Sequence, residues 1–169
     1  LPSLVAHAAG RGLRPALSSN GTTLTTDRVR SLRDAGLAYA GISMDGLRET
    51  HDTFRGKAGA FDAALAGMRA ARDAGLKTGL RFTVHQGNVG DVGGIFDLVS
   101  AEAFDRLCFY HLVYAGRGEQ LRDRDLDHAR TRRLLDTIID RTCRMHAAGH
   151  AAEVLTVDNH ADGPYVYLR

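Results

Sequence analysis

A short motif recurs where helical segments give way to extended ones. Residues 32–37 read LRDAGL, residues 71–76 read ARDAGL, and residues 7–13 (HAAGRGL) carry a looser version. In each copy a helical pattern ends at a glycine, which can adopt the left-handed conformation that closes a helix, and an apolar extended run begins at once. Strands that alternate with helices predict βαβ units and a parallel sheet.

The segments between these junctions predict the elements of an α/β fold. The expected strands are residues 13–19, 37–43, 77–85 and 106–114, with a fifth candidate at 153–157. The expected helices are a segment capped by Thr25 or Thr26 and closed at Gly36, residues 60–74, an apolar stripe from Val92 to Val99, and residues 125–148. The pattern leaves two architectures open, an open doubly wound sheet and part of a (β/α) barrel. With no linker in the sequence, residues 1–169 are interpreted as a single domain.

Two of the strands carry polar side chains on one face only. Side chains alternate across a strand, so in GISMDG (residues 41–46) Ile42 and Met44 point one way while Ser43 and Asp45 point the other. In the strand at 77–85, one face is apolar (Leu80, Phe82, Val84) and the other carries Arg81, Thr83 and His85. A parallel strand that is covered on both sides reads as almost continuously apolar. The split therefore favours a barrel whose interior holds a polar ligand.

The polar residues fall at the ends of strands, where α/β folds bind ligands. Ser43 and Asp45 close one strand, and Ser18, Ser19 and Asn20 close the strand before it. Both sets have a second interpretation, because Ser, Asn and Asp at the end of a strand often cap the following turn. From the residues alone, ligand contact and turn capping stay open for all of them.

Several motifs in order resemble radical S-adenosylmethionine (SAM) enzymes. They are SSNGTTLT, GISMDG, HDTFRGKAGAFDAAL and QGNVGD, followed by FYHLVYAGRGE and LTVDNHADGPYVYLR, which are similar to the haem d1 and haem biosynthesis branch with extra C-terminal iron–sulfur ligands. The resemblance covers nearly the whole chain. It implies a partial (β/α)6 barrel in which the four clear strands are the third to sixth, so that the chain is an internal fragment of a longer enzyme.

The resemblance also implies a SAM site. Asn20, Ser43 and Asp45 are expected to contact the ribose, amino or carboxylate groups of SAM, since amide, hydroxyl and carboxylate side chains suit these partners. Arg81 points into the same lumen and is a candidate for the methionine carboxylate; an ion pair with Asp45 is the alternative. Arg55 is a weaker candidate for the same site, and the favoured interpretation is a surface residue near the start of the next helix.

His85 and His111 are the candidate substrate contacts, and for His85 a hydrogen-bonded core histidine is the alternative. The segment from Asp158 to Asp162 is expected to form a turn before Gly163 and Pro164, on the substrate side of the site by resemblance. No catalytic residue and no metal ligand are assigned. A family 4Fe–4S cluster needs three closely spaced cysteines, whereas this chain has only Cys108 and Cys143.

In the intact enzyme the resemblance implies reductive cleavage of SAM to a 5′-deoxyadenosyl radical. It implies an iron tetrapyrrole with modified propionates as the small-molecule substrate, and an electron donor as partner, while this chain alone is expected to be inactive. A net charge of +2, with Arg supplying 20 of the 22 basic residues, gives no sign of nucleic acid or membrane as a partner. Few cysteines and no signal peptide suggest the cytoplasm.

Two other classes of function remain open at this stage. One is another (β/α) barrel enzyme, such as a lyase, which would need a lysine or a metal site in the lumen; Lys77 lies at the wrong end of its strand. The other is a non-catalytic module that binds SAM or a nucleotide.

Overall fold

The computed structural model describes residues 1–169, apart from the side chain of Arg117. Its strands are β1 (Ala16–Ser19), β2 (Tyr39–Ser43), β3 (Lys77–Thr83), β4 (Arg106–Tyr110) and β5 (Glu153–Val157). Its α-helices are α1 (Pro2–Gly10), α2 (Thr26–Asp34), α3 (Arg48–Arg55), α4 (Ala60–Asp73), α5 (Val92–Ala101), α6 (His128–Ala147) and α7 (Asp162–Tyr167). Two 3-10 helices, Val89–Asp91 and Gly116–Arg124, follow β3 and β4.

The five strands form one parallel sheet in the order β1-β2-β3-β4-β5. Each strand pairs with its neighbour in the sequence, so the strand order never reverses as it does in a doubly wound sheet. Right-handed crossovers that always advance in one direction place successive helices on the same face. The topology therefore removes the open doubly wound alternative and leaves a partial barrel.

The apolar face of the sheet packs against the helices. Ile42, Leu80 and Phe109 are at most 1% exposed and belong to a core that α4, α5 and α6 complete. A second apolar cluster joins α1, α2 and the start of β2, and Leu24 packs against both clusters. The opposite face carries Ser43 beside Arg81 in register. The one-sided polarity predicted from the sequence is therefore present.

Local signals predicted most helix boundaries. Thr25 caps α2, accepting a hydrogen bond from the backbone N–H of Arg28, and Asp127 caps α6 in the same way through Arg130. Helix α3 was not predicted, because its only buried residue, His51, gives no apolar stripe.

The four strands are shorter than predicted: β1 and β2 begin two or three residues later, and β3 and β4 end earlier. β3 ends at Thr83 and β4 at Tyr110, so His85 and His111 lie in the segments beyond the strands rather than within them. Beyond β3, the backbone N–H of His85 donates to Oδ1 of Asn88 and that of Gln86 to the carbonyl oxygen of Arg124, so these two groups do not pair with β4. Within the described residues, no helix combines the length and apolar character that crossing a bilayer requires.

Candidate functional site

A cavity of about 1250 Å³ opens at the carboxyl edge of the sheet. Its walls combine residues from the ends of β2, β3 and β4 with α3 and the 3-10 helix Gly116–Arg124. Six of the lining residues carry the chemistry considered below: Ser43, Asp45, Arg55, Arg81, His85 and His111. Five of these were predicted site residues, so the structure brings most of the predicted site together.

Asp45 is held in place through its main chain. Its backbone N–H donates to Nδ1 of His51 over 2.9 Å, and its carbonyl oxygen accepts from Nδ2 of Asn88 over 2.9 Å. Its side chain points to the cavity, where Oδ2 lies 2.6 Å from Nε of Arg55. Asp45 is therefore a fixed carboxylate at the cavity wall rather than a free turn cap.

Arg55 is exposed, as predicted, but it has a role that the sequence did not indicate. The unpredicted helix α3 turns its side chain, 32% exposed, back over the end of β2, where it pairs with Asp45. Arg55 thus takes the ion-pair role that had been the alternative for Arg81.

Arg81 reaches across the lumen in a different direction. Its guanidinium donates to Oγ of Ser18 and lies over the ring of Tyr110, 4.7 Å from the ring centroid. Its Nε is buried and has no partner among the described residues. Arg81 therefore links β1, β3 and β4 on the polar face. Its Nε–H remains a donor without an acceptor in the described residues.

Two titratable side chains on the floor of the lumen, Tyr39 and Cys108, are held in their neutral forms. Burial raises the pKa of Tyr39 to about 12, and burial also raises the pKa of the Cys108 thiol. A thiol held in its neutral form is a poor metal ligand and a poor nucleophile. Cys108 therefore packs as a small apolar residue.

His111 belongs to a pair that links two distant segments. Its Nε2 lies 2.8 Å from Oδ2 of Asp162, a residue that is only 2% exposed and begins α7. The predicted turn is present from Asp158 to Ala161, and its last residue, Asp162, begins α7 and supports a histidine that lines the cavity. His85 lines the cavity from the neighbouring strand end and is 3% exposed.

Asn20 lies apart from these residues. It is exposed, is not among the residues that line the cavity, and its Oδ1 accepts hydrogen bonds from the backbone N–H and the hydroxyl of Thr22. These contacts form the turn cap that was the alternative interpretation for this residue.

Sequence reasoning missed His51 and Asn88, which position the site without facing a ligand. Asn88 is 1% exposed and donates to the carbonyl oxygens of Asp45 and Thr83. His51 lies in the motif HDTFRG and Asn88 in the motif QGNVGD. Neither motif indicates that the hydrogen-bond partners of these residues lie in other segments.

The part of the chain that the structure describes holds no group of three or more His, Cys, Asp or Glu side chains placed to bind a metal ion. Cys108 is buried in the sheet and Cys143 is exposed on α6, so the two cannot share an iron–sulfur cluster. Neither lysine lines the cavity, which removes the feature that a lysine-dependent lyase would need.

The fold and cavity define a class: a singly wound parallel β/α partial barrel with a polar cavity at the carboxyl ends of its strands. A sequence profile of the radical SAM superfamily matches residues 2–99. The chain belongs to the radical SAM superfamily, whose cofactors are SAM and a 4Fe–4S cluster.

Curated relatives and solved structures agree with this assignment. The chain is 50% identical over its whole length to Fe-coproporphyrin III synthase of Methanosarcina barkeri, of which it covers 42%. It is 42% identical, over 89% of its length, to pre-heme d1 synthase of Dinoroseobacter shibae, of which it covers 37%. Streptococcus suis SuiB bound to S-adenosylmethionine has the same fold over 94% of this chain and 35% of its own, at a TM-score of 0.74 and 14% identity. The chain thus spans about two fifths of the length of the curated relatives it matches.

Proposed function

We propose that the protein containing this chain is a radical SAM enzyme that modifies the carboxylate side chains of an iron tetrapyrrole. Support comes from the identity to Fe-coproporphyrin III synthase and pre-heme d1 synthase, whose names give a tetrapyrrole product. The observation that carries the proposal is the convergence of Ser43, Asp45 and Arg55 on one large cavity at the carboxyl edge. In this proposal residues 1–169 act as one domain within a longer barrel in the cytoplasm.

The residues at the end of β2 fit SAM. A fixed carboxylate such as Asp45 can accept from ribose hydroxyls, and the Ser43 hydroxyl can donate to the methionine carboxylate. The guanidinium of Arg55 can pair with the same carboxylate. Arg81 stays a candidate through its unpartnered Nε, and Asn20 stays a prediction outside the cavity. When bound and reduced, SAM supplies the 5′-deoxyadenosyl radical; these side chains bind and orient it and keep water out.

The iron–sulfur cluster does not fit the residues of this chain, because it needs three closely spaced cysteines and the chain has two, one buried in β4 and one exposed on α6. We therefore assign the cluster, and the electron donor that reduces it, to parts of the protein outside residues 1–169. In this proposal the chain alone is inactive.

His85 and His111 form the proposed substrate side. Both lie beyond the strand ends, on the side of the cavity that the 3-10 helix Gly116–Arg124 covers. Asp162 orients His111 through the 2.8 Å contact with Nε2. An imidazole oriented by a buried carboxylate is suited to hold a polar group of a ligand or to move a proton at its other nitrogen.

The test uses the full-length protein, reconstituted with iron and sulfide under anaerobic conditions. We expect 5′-deoxyadenosine to form from SAM with a reductant, and an iron tetrapyrrole to be altered in the same reaction. Asp45→Asn should raise the Kd for SAM roughly tenfold, since one charge-assisted hydrogen bond is lost. Asp97→Asn, an exposed carboxylate on α5, is the matched control. A protein that cleaves no SAM, or an Asp45→Asn variant that binds SAM like the control, would refute the proposal.

A further inference from the structure

The His85 side chain is fixed by contacts that leave its Nε2 without a hydrogen-bond partner among the described residues. Its backbone N–H donates to Oδ1 of Asn88 over 2.8 Å, and its ring stacks on Phe54 with centroids 5.3 Å apart and planes 27° from parallel. The residue is 3% exposed, so the ring cannot turn freely to find solvent. The orientation of the imidazole is therefore set by the protein before any ligand binds.

The hydrogen bond at Nδ1 decides where the proton of the neutral ring lies. Nδ1 of His85 accepts from the backbone N–H of Gly87 over 3.0 Å, so the proton must be on Nε2. Burial, with the charge of Arg124 nearby, lowers the pKa of His85 and keeps the ring neutral. Nε2 is buried without a partner among the described residues, although His85 lines the cavity. A buried N–H donor without an acceptor is costly, so the site is built for a ligand that brings an acceptor.

The main chain of Arg124 is held against the residue that follows His85. Its carbonyl oxygen accepts from the backbone N–H of Gln86 over 2.8 Å, and Nε2 of Gln86 donates to the carbonyl oxygen of Asp125 over 2.7 Å. The end of the 3-10 helix is thus pinned to the residue after His85. The Arg124 side chain lines the same cavity, and none of the carboxylates that the structure describes forms an ion pair with it.

The other two cavity arginines have partners within the protein. Arg55 pairs with Asp45, and Arg81 donates to Ser18 while lying over Tyr110. Among the described residues that line the cavity, Arg124 is the arginine whose guanidinium makes no ion pair and no hydrogen bond. Its charge is near enough to lower the pKa of His85, and together with the Nε2–H of His85 its guanidinium suits an anion with two oxygens.

The same part of the cavity has an apolar rim. Phe54 is 38% exposed and Val113 is 51% exposed, and both line the cavity with Leu112 and Leu121. Exposed apolar side chains around polar donors indicate a ligand with an apolar body and a charged end. A tetrapyrrole macrocycle with peripheral carboxylates has this shape and chemistry.

We propose that His85 and Arg124 form a binding subsite for one carboxylate of the tetrapyrrole substrate. The inference rests on the proposed function, because the ligand class comes from it. One oxygen accepts from the Nε2–H of His85, and the Arg124 guanidinium donates to the carboxylate and neutralises it. The macrocycle then lies against Phe54 and Val113.

The test measures binding without turnover in the full-length protein, by anaerobic absorbance titration without reductant. The two probes are iron coproporphyrin III and its tetramethyl ester, which removes the charges and keeps the macrocycle. We expect Arg124→Gln to raise the Kd for the acid roughly tenfold and to leave the Kd for the ester unchanged, as loss of a charge-assisted hydrogen bond requires. Arg122→Gln, two residues earlier on the same helix and paired with Glu119, is the matched control and should change neither Kd.

Two variants separate the donor of His85 from its packing. His85→Phe keeps an aromatic ring against Phe54 but removes the donor. It should raise the Kd for the acid and leave the Kd for the ester unchanged. His85→Gln keeps an N–H donor near the position of Nε2 and should bind the acid more tightly than His85→Phe. The Kd for SAM should stay within about twofold in all of these variants. If His85→Phe does not fold, Arg124→Gln and His85→Gln decide the question.

Each outcome has a distinct meaning. Equal affinity of the wild type for acid and ester, or equal losses for both in Arg124→Gln, overturns the carboxylate subsite and leaves the proposed function standing. A raised Kd for SAM with unchanged porphyrin binding in the His85 variants assigns Nε2 to SAM and also overturns it. Failure to bind either porphyrin refutes the tetrapyrrole substrate and the subsite together.

Discussion

Nδ1 of His51 accepts a hydrogen bond from the backbone N–H of Asp45 over 2.9 Å, which joins α3 to the end of β2. The contact leaves the Asp45 side chain free to face the cavity while its main chain is fixed. The ring of His51 is 1% exposed and meets Phe61 edge to face, so α3 and α4 together hold it. The polar site thus depends on a histidine that belongs to the core.

Replacing His51 should separate its role as acceptor from its role in packing. His51→Ala leaves the N–H of Asp45 unpaired and opens a cavity, and should lower the free energy of unfolding by about 2–4 kcal/mol. His51→Asn can place Oδ1 near the position of Nδ1 and should lower the free energy of unfolding by less than His51→Ala. Urea denaturation of the intact protein measures both changes. Equal losses in the two variants would contradict the acceptor role.

Asn88 makes a second prediction, because it ties the ends of two strands together. Its Nδ2 donates to the carbonyl oxygens of Asp45 and Thr83, and its Oδ1 accepts from the backbone N–H of His85. Asn88→Asp is nearly isosteric, but it turns a carboxylate oxygen toward two carbonyl oxygens. We expect it to cost about 2–4 kcal/mol of stability and to weaken SAM binding.

The control for this variant is Asn159→Asp, in which the affected side chain makes a single exposed contact with the backbone N–H of Ala161. That change should alter stability by at most about 0.5 kcal/mol. An Asn88→Asp protein as stable as the control, with an unchanged Kd for SAM, would show that the strand ends are held by other contacts.

The two buried histidines at the site predict a pH dependence. Burial lowers the pKa of His51 and of His85 below the ordinary 6.5. In the folded protein both rings are then neutral, while in the unfolded chain they take up protons below about pH 6.5. Their contribution to stability is therefore complete above that pH and is lost as the pH falls, by at most about 1.4 kcal/mol per pH unit for each ring.

Urea denaturation at pH 7.5 and 5.5 checks this sign. For His51, Asp45 opposes the shift and Arg55 adds to it, with burial the largest cause. His51→Asn removes one titrating group and should flatten the loss of stability between the two pH values. A wild-type protein that is more stable at pH 5.5, or a variant with the same slope, would contradict the neutral state of these rings.

The sequence predicted the parts of the fold that local signals determine. Gly36 and Gly75, which have positive φ, follow α2 and α4 as predicted, and the alternation of Leu80 and Arg81 placed the apolar and polar faces correctly. The roles of Arg55 and Asn88 could not be predicted from the sequence, because they arise from contacts between separate segments. Asn88 and Asp45, for example, are 43 residues apart in the chain. The direction of the Arg81 side chain likewise depends on Ser18 and Tyr110, which no pattern within β3 indicates.

Gly79 gives the last prediction, on the floor of the lumen. The Tyr39 ring lies across it, so that a Cβ on Gly79 would overlap the hydroxyl oxygen and lie 2.7 Å from Cζ of the ring. Gly79→Ala should therefore cost about 1–3 kcal/mol, as overpacking of a dense interior does. Tyr39→Phe removes the overlapping oxygen, so in the Tyr39→Phe background the cost of Gly79→Ala should fall.

Gly90→Ala, at a position where a Cβ meets no atom within 4 Å, is the control. Urea denaturation of the four proteins and the wild type measures the coupling between residues 39 and 79; strictly additive losses would mean that the ring moves aside and does not fill the lumen above Gly79.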